Sequence, residues 1–127
     1  MKYKKLEFEI LDELLGIARL EAGCSLPKWL RMEGFFSVTS TDGEVSIVCP
    51  QRDIPGDVEC ERYWKAIRIK GTLDFSMVGV LAELGSILAS EGISIFVIST
   101  YRTDYILVKA SMAEKALVLL EDSDCKF

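Results

Sequence analysis

The chain has 127 residues, half of them hydrophobic, and a formal net charge of −5. That length suits one compact body or two very small ones sharing a core, and the apolar content is too high for a disordered chain. The negative charge excludes a protein that grips a phosphate backbone, which needs clustered Lys and Arg; the basic trio Lys2, Lys4 and Lys5 runs straight into acidic residues.

In chain order, residues 6–21 read as two strands with a turn. Leu6, Phe8 and Ile10 alternate with Glu7 and Glu9, Asp12-Glu13 interrupts, and Leu14 to Leu20 resumes. Cys24 to Arg31 holds Pro27 before Lys28-Trp29-Leu30, which suits a short helical turn with proline near its start. Residues 35–40 and 44–49 are two more strands, joined through Thr41-Asp42-Gly43, a hairpin signal. Pro50 to Glu59, with two prolines, a glycine and several charges, is the best linker candidate.

The second half has sharper periodicity. Trp64 to Lys70 alternates polar and apolar residues and stops at Gly71. Ser76 then opens a helix whose Val80, Leu81, Leu84, Ile87 and Leu88 share one face, ending at Gly92. Residues 93–99 and 103–109 are strands, 112–120 a second helix, and 125–127 a short closing strand. From Trp64 the order is β-α-β-β-α-β, the ferredoxin-like split βαβ arrangement of an α+β protein. The first half reads as an abbreviated relative, giving two units, 1–60 and 61–127. A faint echo supports duplication: Ser40 to Val48 can be laid on Ser99 to Val108 with a one-residue gap, each with a Ser-Thr pair before a turn.

Two stretches carry candidate chemistry. In Gly71 to Leu81, Ser76 is a candidate N-cap, and the amides beyond it suit a carboxylate or phosphate; Gly79 lets a ligand or a backbone come close. The same residues also suit an ordinary capped helix. In Ser99 to Asp104, at the end of one strand and the start of the next, Asp104 is placed to pair with a ligand ammonium group while the helix amides hold its carboxylate, as recognition of an amino acid requires. A plain hairpin whose Asp and Thr satisfy turn amides is the alternative.

Other chemistries find little footing. The chain has no histidine, which excludes Ser-His and Cys-His nucleophiles, and no carboxylate pair is spaced for acid–base work. Cys24, Cys49, Cys60 and Cys125 lack CxxC spacing, so no zinc site is expected; with no leader pattern at the start they read as reduced thiols of a cytoplasmic protein. No apolar run is long enough to span a bilayer. No cofactor, metal, nucleic acid or membrane partner is expected, and the aromatic residues, among them Phe8, Trp29, Phe35, Phe36, Trp64, Phe75 and Phe96, read mostly as core.

Gly79-Val80-Leu81-Ala82-Glu83-Leu84, followed by Glu91-Gly92-Ile93-Ser94-Ile95, resembles the ACT-domain pattern. Asp74-Phe75-Ser76, the run Ile98 to Val108, and upstream Ala18-Arg19-Leu20, Pro27-Lys28-Trp29 and Phe36 to Thr39 are similar to a narrower group, the tandem ACT proteins related to the CASTOR arginine sensors and short bacterial ACT proteins. Where many ACT domains carry D-x-P-G, this chain reads Ser76-Met77-Val78-Gly79, so the ligand of the biosynthetic enzymes does not carry over. The resemblance implies two ACT-like units side by side, no catalysis, a homodimer, and regulatory binding of an amino acid. It places Asp74, Ser76, Met77, Gly79 and Val80 on the loop side of the site and Thr100, Tyr101 and Asp104 on the strand side. Arginine selectivity is not implied, because Met77 offers no carboxylate to a guanidinium group.

Overall fold

The computed structural model describes residues 6–71 and 79–123. In chain order these form β1 (Phe8–Ile10), β2 (Leu15–Leu20), β3 (Ser37–Ser40), β4 (Val45–Pro50), β5 (Cys60–Ile69), α1 (Val80–Ala89), β6 (Phe96–Ser99), β7 (Asp104–Lys109) and α2 (Ala113–Glu121). Three-residue 3-10 turns, Gln51–Asp53 and Ala110–Met112, follow β4 and β7. The chain divides into two compact units: an inner one, Asp12–Trp64, and an outer one made of Met1–Leu11 with Lys65–Phe127.

In the outer unit the strand order is β1-β5-β7-β6. From β5 onward the elements run β-α-β-β-α, as the sequence pattern requires. The closing strand expected at residues 125–127 lies outside the described residues. Beside β5 stands β1, antiparallel, with Phe8 opposite Ile69 and Ile10 opposite Ile67. The amide of Leu11 donates to the carbonyl of Ala66 and that of Lys70 to Glu7, extending the ladder past both ends of β1.

This differs from an expected division at residue 60. The first strand belongs with the second half of the chain, because its apolar residues Leu6 and Phe8 join the core of that half. The Pro50–Glu59 segment is likewise no linker. It joins two strands of the inner unit, and Ile54 within it is buried in that unit's core.

The outer core is one layer of helix against sheet. Val80, Leu84 and Leu88 recur at helical spacing on α1, Ala113, Ala116 and Leu120 on α2, and they pack with Ile67, Ile69, Ile106 and Val108 of the strands. Helix α1 ends in a Schellman pair: the Gly92 amide donates to Ala89 and the Ile93 amide to Leu88. Ile93 is buried against the same core.

The inner unit has the order β3-β4-β2-β5, with all three pairings antiparallel. Its described residues contain no α-helix. Where the outer unit has α1, residues 21–35 carry turns, one of them closed by the Leu30 amide on the Pro27 carbonyl. Leu30, Trp29, Ile54 and Val58 cover the face formed by Ala18, Val45, Ile47 and Cys49, so loops do there what helices do in the other unit.

The internal echo is real in three dimensions and needs no gap. Strands of four and six residues and a three-residue 3-10 turn follow one another at the same spacing in 37–53 and in 96–112. The pairing registers match as well. Ser40 faces Val45 as Ser99 faces Asp104, and Val38 faces Ile47 as Val97 faces Ile106.

Of the aromatic residues expected in the core, Phe8 and Trp64 are buried, Trp29, Phe35 and Phe96 are partly buried, and Phe36 is exposed. Phe75 lies outside the described residues.

A cleft at the end of the outer sheet

The candidate residues fall into three groups. Asp74, Ser76 and Met77 lie outside the described residues. Gly79 and Val80 begin α1, but not as the sequence suggests. Gly79 is itself the N-cap, exposed and at φ +79°, and its carbonyl accepts the first helical hydrogen bond, from the Glu83 amide at 2.9 Å. Glycine enters that left-handed region without a Cβ penalty. Val80 is buried in the core, so its side chain belongs to the packing.

Thr100, Tyr101 and Asp104 form the third group, on the turn from β6 to β7. Thr100 closes the turn three times. Its amide donates to the Thr103 carbonyl at 2.8 Å, its hydroxyl donates to the same carbonyl at 3.1 Å, and its Oγ1 accepts from the Thr103 amide at 3.3 Å. Thr103, a buried polar residue, donates its hydroxyl to the Ile69 carbonyl at 2.8 Å. That bond ties the turn to the end of β5.

An open cleft of about 440 Å³ lies at this end of the sheet, lined by Arg68, Gly71, Thr100, Tyr101, Arg102, Thr103 and Tyr105. The cleft sets Arg68 of β5 and Gly71, two residues past the end of that strand, beside the β6–β7 turn; the helix-start loop that the sequence argument placed opposite this turn lies outside the described residues. Thr100 and Tyr101 take part in the cleft. Asp104 is not one of the residues lining the cleft. On β7 it falls in the row of Ile106 and Val108, which packs on the helices, whereas Tyr105 falls in the opposite row.

Sequence reasoning missed Arg68, Arg102 and Tyr105. Arg68 is half-buried on β5 and pairs with Glu9 of β1, which stands opposite it in the ladder. Its Nε is buried without a hydrogen-bond partner among the described residues. Arg102 is exposed and forms no ion pair within the described residues. Neither stands in a recognisable motif; the available signal was Tyr101-Arg102 standing where the duplicated hairpin has Asp42-Gly43.

Nothing among the described residues argues for a metal or for thiol chemistry. They contain no group of three or more Cys, Asp or Glu fit to hold a metal. Cys24 is exposed, and burial is the main cause that pushes the Cys49 thiol up to about 11 and the Cys60 thiol upward as well. No helix among the described residues is long and apolar enough to cross a membrane.

A split βαβ sheet covered by two helices, with a second unit of the same strand order inserted in it, defines an ACT-type α+β protein. The ACT domain profile matches residues 59–122, and the chain belongs to the ACT domain family. A second profile, for an N-terminal domain, matches residues 13–57.

Among curated proteins, the mouse cytosolic arginine sensor for mTORC1, subunit 1, is 34% identical over 82 residues, covering 58% of this chain and 25% of the sensor. The match therefore spans a quarter of that relative's length. Among solved structures, an Agrobacterium tumefaciens protein superposes with a TM-score of 0.84 at 38% identity, covering 92% of this chain and 87% of that one. The regulatory subunit of Thermus thermophilus aspartate kinase superposes at 0.64 with 14% identity, covering 96% of this chain and all of that one, a likeness of fold alone.

Proposed function

We infer that this protein is a regulatory module that binds a small molecule, an amino acid, and acts through a change in its assembly rather than by catalysis. The observation that carries the reading is the cleft where Gly71 and the Thr100–Thr103 turn meet at one end of the ACT sheet. The kinship supports it: the mouse relative is named as an arginine sensor, and the Thermus likeness is to a regulatory subunit. Thr100 and Tyr101 belong to the cleft. Asp74, Ser76, Met77, Gly79 and Asp104, with Val80 through its backbone alone, are assigned to the ligand on the family resemblance. The module acts in the cytoplasm as a homodimer, and ligand binding shifts whichever assembly completes the site.

A thermal-shift screen against the twenty amino acids tests this. At least one should raise the melting temperature, by the linkage between binding and folding. Sedimentation with and without that amino acid then reads the assembly. A flat screen at millimolar concentration would leave an ACT-fold dimerisation module without a ligand.

A further inference from the structure

We propose that the cleft between Arg68 and Arg102 takes the second carboxylate of an acidic amino acid, and that this sets the ligand class of the module. The inference rests on the amino-acid reading above and adds the charge of the ligand to it.

The internal repeat supplies the first argument. The hairpin of the inner unit repeats the closing hydrogen bonds of the outer one: the Thr41 amide donates to the Glu44 carbonyl at 2.9 Å, and Thr41 Oγ1 accepts from the Glu44 amide at 3.2 Å; the inner turn adds a bond from the Gly43 amide to Thr41 Oγ1 at 3.1 Å. The scaffold is thus built from backbone groups and one threonine hydroxyl. Its two central positions are Asp42-Gly43 in one copy and Tyr101-Arg102 in the other. Asp-Gly is the pair that tight turns favour. A guanidinium group is not what a tight turn calls for at that position, and in the outer copy both Tyr101 and Arg102 line a cleft.

Charge supplies the second. The described residues lining the cleft include two arginines and no carboxylate, in a chain of net charge −5. Glu9 pairs with Arg68, which fixes that side chain and neutralises it. Arg102, exposed and without an ion pair among the described residues, is left as the uncompensated positive charge of a lining that also holds Thr100, Tyr101 and Tyr105. An amino acid with a neutral side chain is a zwitterion and gains nothing net from such a field. A basic one is repelled. A ligand with an additional carboxylate gains a charge-assisted, bidentate contact with the guanidinium fork.

Calorimetry and thermal shift on the full chain test the assignment, with L-glutamate, L-aspartate, L-alanine, L-arginine, L-lysine and inorganic phosphate as probes. The acidic amino acids should bind ahead of alanine, and the basic ones should not bind. Arg102→Gln, at an exposed position, should weaken glutamate or aspartate binding about tenfold to a hundredfold, as loss of a charged hydrogen bond implies. Arg102→Lys should restore part of it. Alanine, arginine or lysine binding as tightly as the acids, with no effect of Arg102→Gln, would overturn the inference while leaving the amino-acid reading intact. Phosphate competing as well as glutamate would overturn the ligand class. A flat response to every amino acid would end both.

Discussion

Thr41 and Thr100 hold the same post in two copies of one turn. Each donates its amide to the carbonyl three residues on, at 2.9 and 2.8 Å, and each accepts that residue's amide at its hydroxyl, at 3.2 and 3.3 Å. Since the turn is complete without its central side chains, the double variant Tyr101→Asp with Arg102→Gly should fold with a stability within about 1 kcal/mol of the parent, as exposed substitutions usually do. Urea denaturation reads this directly. A larger loss would mean that the outer turn depends on those side chains.

Gly16 on β2 has the side chains of Ile54, Cys60 and Gln51 packed over it. A Cβ there would meet Ile54 Cδ1 at 2.6 Å and Cys60 Sγ at 3.0 Å. Gly16→Ala should therefore cost about 1–3 kcal/mol by overpacking. Adding Ile54→Val removes the nearest atom and should recover part of the loss. Equal losses in the single and double variants would place the strain elsewhere.

The strand β1 should be worth far more than its three residues suggest. Phe8 is 6% exposed in the outer core, and Phe8→Ala is expected to destabilise by about 3–5 kcal/mol. Glu9→Ala on the same strand breaks only a partly exposed ion pair and should cost about 0–1 kcal/mol. Chemical denaturation of the two variants separates the packing role of β1 from its charge.

The Cys49 thiol gives a pH dependence with a definite sign. Burial, together with Asp53 and Cys60, raises it from 9.0 to about 11 in the folded chain. An acid whose folded pKa is raised supports the fold fully below pH 9 and loses that support as pH climbs toward 11. Cys49→Ala should flatten this part of the stability profile. At neutral pH a thiol reagent should modify exposed Cys24 well before buried Cys49.

Much of the architecture was legible because patterning reports which face a residue occupies. The rows Val80, Leu84, Leu88 and Ile106, Val108 came out on the core side as their spacing required. Patterning does not report which strand lies next door. The pairing of Phe8 with Ile69 is therefore invisible in the sequence, and β1 was assigned to the wrong half. Pro50 and Pro55 marked a change of direction, which sequence reading took for a boundary. In the structure the Arg62 guanidinium donates to the carbonyls of Gln51, Ile54 and Pro55, fastening that segment to β5.

The candidate site was legible in part for a related reason. The turn at Thr100 and its meeting with the end of β5 follow from the β-α-β-β order. Asp104 is acidic at a strand start; strand alternation sets it in the row of Ile106, and it is not among the residues that line the cleft. Arg68 and Arg102 are single cations in unrelated segments, brought together only by the sheet.

The interrupted outer unit also has a temporal side. On a ribosome β1 emerges with its pairing surface not yet made, and it must wait through the synthesis of residues 12–59 before β5 and the helices appear. The inner unit takes shape once the first half of β5 is made, between the ends that carry β1 and the second half of β5. Its completion then sets how far apart those ends are held, so the late half condenses around a loop already closed, with less entropy left to lose.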